Sequence, residues 1–252
     1  MPKRQPTQQD FPSAVTLSII SPPPSSSSSS SSHPPPNVLI LLHGLGDTHA
    51  SFATLGRQLN LPETLCLAVR APAPLPFDLG GHHWGDDIQF DQATGSMSFD
   101  TGFRAATRLL LDNVIRETLL DACGYTPREI LLFGYGQGGM AALRVAAEMG
   151  ADEELGGVVS IGGWLPSDAP LQPVNRKCRT PVLLCKAARL SNVSDGEVKR
   201  LKDNFDFVEV REWARAGDGM PRNREEMLPI MQFFARRLRS MKGVPDGAVE
   251  LS

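Results

Sequence analysis

The sequence is poor in several features, and each scarcity removes a class of function. Its 252 residues hold only four cysteines, Cys66, Cys123, Cys178 and Cys185, with no C-x-x-C spacing, so no disulfide scaffold is expected. They read as reduced thiols, mostly buried as small hydrophobes, in a cytoplasmic protein. Neither sign of charge dominates, since 25 Lys+Arg against 28 Asp+Glu leave −3. Without a basic run to neutralise phosphates, nucleic acid is not an expected partner. No apolar run approaches the roughly 20 residues of a membrane-spanning helix, and the start, Met1-Pro2-Lys3-Arg4, lacks the apolar core of a secretory signal. Histidine is scarce and lopsided: all five, His33, His43, His49, His82 and His83, precede residue 84.

What remains is enough for a core, with 41% hydrophobic residues. Short apolar runs alternate with amphipathic stretches, which predicts an α/β fold with a mostly parallel central sheet and helices on both faces. Strands are expected over 11–20, 37–42, 64–69, 129–135, 157–162, 181–186 and 206–211. The segment 100–124 predicts a helix with Phe103, Ala106, Leu110, Val114 and Thr118 on one face, opened by an N-cap residue and closed by Gly. A last helix carries Met227, Ile230, Met231, Phe234 and Leu238 at helical spacing, with its start blurred by Pro229. Residues 21–36, with eight serines from Ser25 to Ser32 between prolines, cannot bury apolar surface; they read as a tolerated loop in a hairpin or as a phosphorylation tract. The expected organisation is an N-terminal strand with this insert (1–36), a main domain (37–240) and a tail (241–252). Residues 70–99 have no sustained periodicity and read either as a pocket wall, where open α/β sheets bind ligands, or as a surface loop.

Two motifs carry chemistry. The run Gly134-Tyr135-Gly136-Gln137-Gly138-Gly139 joins an expected strand to a small-residue helix, the shape of the nucleophile elbow G-x-S-x-G with Gly136 in the serine's place. It lacks the G-x-G-x-x-G spacing and the following Lys of phosphate-binding loops. The second motif is His43-Gly44-Leu45-Gly46-Asp47, directly after the strand 37–42.

With Ala71-Pro72-Ala73-Pro74 and Gly163-Trp164-Leu165-Pro166 after further strands, these motifs resemble the acyl-protein thioesterase and carboxylesterase branch of the α/β-hydrolases, over roughly residues 37–240. The resemblance implies the α/β-hydrolase fold and an apolar cleft; no cofactor is expected, and His82 and His83, which invite a metal reading, have no third ligand at helical spacing, so no metal is expected either. The resemblance also implies an oxyanion hole from the backbone N–H groups of Leu45 and Gln137, which survive side-chain changes, and makes His43 a structural residue of that loop.

Members of that family act through a Ser, Asp, His triad in that chain order. Here the serine position is Gly136, the carboxylate position is Leu190, and the base position is Met220; no histidine follows Gly136 at all. The reading is a member that binds an acyl or lipidated ligand or a protein partner without triad hydrolysis. The alternative is a weak ester or thioester hydrolase whose base is His82 or His83, beside Trp84, Asp86 and Asp87; the same loop also reads as a solvated turn or pocket lining. Asp47 and Asp218 are expected as turn and cap residues, and Ser160 as a buried strand residue.

Overall fold

A computed structural model describes residues 2–24, 33–77, 79–90 and 97–240. Seven strands form one sheet: β1 (Leu17–Ile20), β2 (Asn37–Leu42), β3 (Thr64–Val69), β4 (Ile130–Tyr135), β5 (Gly157–Ile161), β6 (Val182–Arg189) and β7 (Val208–Ala216), in the order β1-β3-β2-β4-β5-β6-β7. All neighbours are parallel except β1, which runs antiparallel to β3. Strands buried on both faces are near-continuous apolar runs, and NVLILL and TLCLAV fit this with every residue buried, their polar first residues Asn37 and Thr64 being satisfied by hydrogen bonds to backbone carbonyls.

The alternation splits each strand between two cores. Val38, Ile40 and Leu42 of β2 face α2 (Arg104–Thr107, continued as a π-helix over Arg108–Ala122) and α3 (Gln137–Met149). Leu39 and Leu41 face α1 (His49–Leu59) and α5 (Arg224–Arg237). Helix α4 (Asp195–Asn204) joins the first core through Leu201.

Several expectations need correction. Residues 11–16 are not strand, because Phe11 and Val15 plug the core from an irregular segment. The strand that follows pairs with β3, so β1 and β2 are not a hairpin; residues 25–32 of the insert lie outside the described residues. The β6 and β7 strands run three and five residues further than expected, paired in parallel from Val182 to Arg189. The helix after residue 100 begins at Arg104 with Phe103 at its N-cap. Asp86 supplies the missing cap from a distance, accepting from Arg104 N and Ala105 N at 3.1 and 2.9 Å. Asp100 instead accepts from Ser167 N at 3.0 Å. The apolar face holds, since Phe103, Ala106, Leu110, Val114 and Thr118 are all buried, and Gly124 closes the helix with φ 71°. Pro229 is tolerated inside α5, whose N-cap Asn223 accepts from Glu226 N at 2.9 Å.

Candidate functional site

The strand β4 ends at Tyr135, Gly136 turns, and α3 starts at Gln137 without an intervening residue. Gly136 has φ 52° and ψ −120°, a conformation that costs a residue with a Cβ about 1–3 kcal/mol and glycine much less. Its turn is fixed from both sides, by Gly136 N donating to Ile161 O at 2.8 Å and Met140 N donating to Gly136 O at 3.0 Å. The approach of α3 to β2 is equally demanding, because a Cβ on Gly138 would lie 2.3 Å from Leu42 O. That contact brings the start of α3 against the first residues of the HGLGD loop.

His43 is fully buried and structural. Ala71 N donates to its Nε2 at 3.0 Å, so Nε2 is unprotonated and Nδ1–H faces Gly44 O at 2.7 Å. Burial accordingly pushes its pKa down. Trp84 is fully buried as well, donating from Nε1 to His43 O at 2.8 Å, so it is a brace rather than an open pocket wall. The Gln137 side chain adds a second brace, accepting from Trp84 N at 2.8 Å and donating to Phe99 O at 3.1 Å. Among the described residues, the backbone N–H groups of Leu45 and Gln137 meet no acceptor.

His82 is locked to the same loop by its backbone, with Gly46 N donating to His82 O and His82 N donating to Asp47 O, both at 3.0 Å. Its Nδ1 and those of His49 and His83 are buried without a hydrogen-bond partner. Burial holds all three imidazoles below their ordinary pKa, with Arg70 adding to the effect at His49 and His82. Among the described residues, no three His, Cys, Asp or Glu side chains are grouped to hold a metal ion. Ser160 is buried on β5 and donates to Gly163 O at 2.8 Å.

The two positions at which the resemblance would place the acid and the base, Leu190 and Met220, lie on the loops after β6 and β7. Leu190 has φ 52° and is 84% exposed. Met220 is half-buried against the core under α1 and α5. The carboxylate that organises these loops is Asp218, which is neither a simple turn nor a cap residue. It accepts from Ala187 N and Asn192 N at 2.8 Å and from Ser191 Oγ at 3.0 Å, binding one loop to the other. Behind Met220, the buried Arg215 pairs with Glu226 at 2.9 Å and donates to Met220 O at 3.1 Å. Sequence reasoning missed Arg215 and the bridging role of Asp218, because their partners are set by which loops adjoin.

Neither Leu45, Gln137, His82, His83 nor Trp84 lines the groove of about 580 Å³ that opens between α1 and α5; Asp47, Phe133 and Met220 do.

The profile of the Phospholipase/Carboxylesterase family matches residues 25–199. An uncharacterised hydrolase of Schizosaccharomyces pombe is 32% identical over 221 residues, covering 86% of this chain and 89% of that protein. Acyl-protein thioesterase 1 of Gibberella zeae is 26% identical over 159 residues, 58% of this chain and 66% of that one. Among solved structures, esterase PE8 superimposes with a TM-score of 0.66 at 19% identity, covering 89% of this chain and 99% of that one. Acyl-protein thioesterase 2 of Zea mays gives 0.62 at 20% identity, with the same coverages. The elbow turn, the braced HGLGD loop and these matches together make the chain a member of the phospholipase/carboxylesterase family of α/β-hydrolases.

Proposed function

We propose that this family member keeps the esterase fold and oxyanion loop but does not hydrolyse esters through a Ser-Asp-His triad, and acts by binding an acyl ligand or a protein partner. The observation that carries this reading is Gly136, which holds the elbow's backbone angles with no side chain to attack a carbonyl. The other two positions agree. A leucine projecting into solvent cannot orient a base, and a methionine packed on an apolar core cannot accept a proton. The unpaired N–H groups of Leu45 and Gln137 support continued recognition of a carbonyl or carboxylate oxygen.

A second reading has one observation in its favour. His82 adjoins the oxyanion loop, and burial followed by the charge of Arg70 lowers its pKa, which favours the unprotonated form that a general base needs. The test is steady-state hydrolysis of a short aryl ester and a palmitoyl thioester by the unmodified chain and by Gly136→Ser. No turnover from either folded protein is expected. Saturable turnover that disappears in His82→Ala would replace the binding reading with the second one.

A further inference from the structure

The two edges of the sheet differ in length and in what faces outward. At one edge β1 offers only the four residues Leu17–Ile20, whereas at the other β7 runs for nine, Val208–Ala216, with β6 as its single neighbour. Val182 N donates to Phe207 O at 2.8 Å, so the main-chain groups of Phe207, Glu209 and Arg211 face β6. By the two-residue alternation of a strand, those of Val208, Val210 and Glu212 face away from the sheet. Among the described residues, nothing bonds to these outward N–H and C=O groups. Open edges invite strand addition, and proteins usually blunt them with proline, lysine or a bulge. Residues 207–212 hold neither proline nor lysine, and the register shift between β6 and β7 comes only after the Ala187 and Trp213 pair.

The charges on this edge are arranged symmetrically about one residue. Val208 and Val210 lean on the core beside α4, while Trp213 sits in the opposite core and shares its face with Glu209 and Arg211. Glu209 and Arg211 flank Val210, and both side chains are about half exposed. Arg236 of α5 holds Glu209 in place at 2.6 Å, but Arg211 makes no hydrogen bond with any described residue and stands 3.7 Å from Glu209. Let β7 meet a second copy of itself, antiparallel, about a two-fold axis through Val210. Glu209 then stands opposite the copy's Arg211, and Arg211 opposite its Glu209, at the non-hydrogen-bonded positions where facing side chains approach most closely. The outward main-chain groups match in the same register, Val210 with Val210 and Val208 with Glu212, each pair exchanging two N–H···O bonds. The exposed Phe207 falls opposite the copy's Trp213. Moving the axis by one residue sets Glu209 against Glu209 or Arg211 against Arg211, and like charges directly opposite are destabilising.

We propose that β7 pairs antiparallel with β7 of a second copy of this chain, joining two seven-stranded sheets across a two-fold axis at Val210. What selects the occupant is charge complementarity within one register. A foreign strand would need an acidic and a basic residue two apart in the same order, and this chain supplies that strand itself; a two-fold dimer uses the same patch on both partners. The edge is remote in strand order from the elbow after β4, so the pairing holds whether or not the chain hydrolyses esters.

The test is the oligomeric state of the full chain, followed by sedimentation equilibrium across concentrations. The unmodified chain should associate reversibly to a dimer. Glu209→Arg brings arginines face to face and Arg211→Glu brings glutamates face to face, twice in each dimer, so either variant should raise the dissociation constant about tenfold or more. Mixing the two variants should restore a dimer containing one copy of each, because every arginine then meets a glutamate. That recovery also establishes that both variants are folded. Hydrogen exchange supplies the second readout: the Val208, Val210 and Glu212 amides should slow as concentration rises, while that of Glu209, which faces β6, should not respond. A chain that stays monomeric up to its solubility limit would overturn the proposal. So would single variants that dimerise like the unmodified chain, or a mixture that stays monomeric. Protection of the three amides that ignores concentration would overturn it too, giving the edge to another segment of the same chain.

Discussion

The loops leaving β2 and β4 and the loops leaving β6 and β7 adjoin the same end of the sheet, yet they are held by different material. In the first pair the turn itself is backbone, with a positive φ at Gly136, close approaches at Gly138 and main-chain bonds between Gly46, Asp47 and His82, and the buried side chains of His43, Trp84 and Gln137 brace it from behind. In the second pair it is side chain: the Asp218 carboxylate tying Ala187, Ser191 and Asn192, and Arg215 gripping the loop of Met220. The difference teaches where a hydrolase is easily unmade. On the proposed reading, oxyanion donors made of backbone persist while a sequence folds this way, whereas a triad made of side chains is lost by three substitutions, and other side chains can then bind the same loops together.

The sharpest way to break the backbone-built half is Gly138→Ala. The new Cβ would meet Leu42 O at 2.3 Å, and because the obstacle is main chain in a buried strand it cannot swing aside. A loss of about 3 kcal/mol or more is expected, read as a collapse of the urea midpoint or failure to accumulate folded protein. Wild-type stability in that variant would show that α3 is free to slide on β2.

The side-chain-built half should yield less but still clearly. Asp218→Ala leaves the Ala187 and Asn192 N–H groups without their acceptor, at a cost of about 2–3 kcal/mol. Asp218→Asn should recover part of this, since one amide oxygen can still accept. If the two variants unfold alike at wild-type midpoints, the carboxylate is ornamental and the comparison between halves fails.

Gly136→Ser probes the junction. Nothing lies within 4 Å of a Cβ built there, so only backbone strain opposes it and the melting temperature should fall by the equivalent of about 1 kcal/mol. The variant should show no saturable ester turnover. Adding Leu190→Asp and Met220→His should still not produce it, because position 190 projects into solvent while Asp218 fixes the loop around it. Saturable hydrolysis by that triple variant would mean the side-chain half kept its catalytic shape after all.

The same division governs what could be read from sequence. The strands at 37–42 and 64–69 and the elbow were legible because their signals are local: continuous apolar runs and glycines at fixed offsets. The absence of histidine after Gly136 was legible too, since it needs no structure. Asp218 and Asp86 were not, because their partners lie about 30 and 18 residues away along the chain and are chosen by loop packing. The groove escaped for the same reason, as its floor is assembled from α1, β4 and α5, and no single segment shows its pattern.

The gentlest probe is proton uptake beneath the HGLGD loop. His49 and His82 have buried, unpartnered Nδ1 atoms, and burial followed by the charge of Arg70 holds both imidazoles below their ordinary pKa. The unfolded chain therefore takes up protons first as pH falls through about 6.5, and protons favour the state that binds them more readily. Stability should be full above that value and decline as pH drops toward the lowered folded pKa values, read as a smaller urea midpoint at pH 5.5 than at pH 7.5. The decline should lessen in His49→Gln with His82→Gln. It should also lessen in Arg70→Gln, which removes a cation without removing an imidazole. An unchanged decline in Arg70→Gln would leave burial, with the neighbouring imidazoles at His82, as the cause, and Arg70 would then have no part in it.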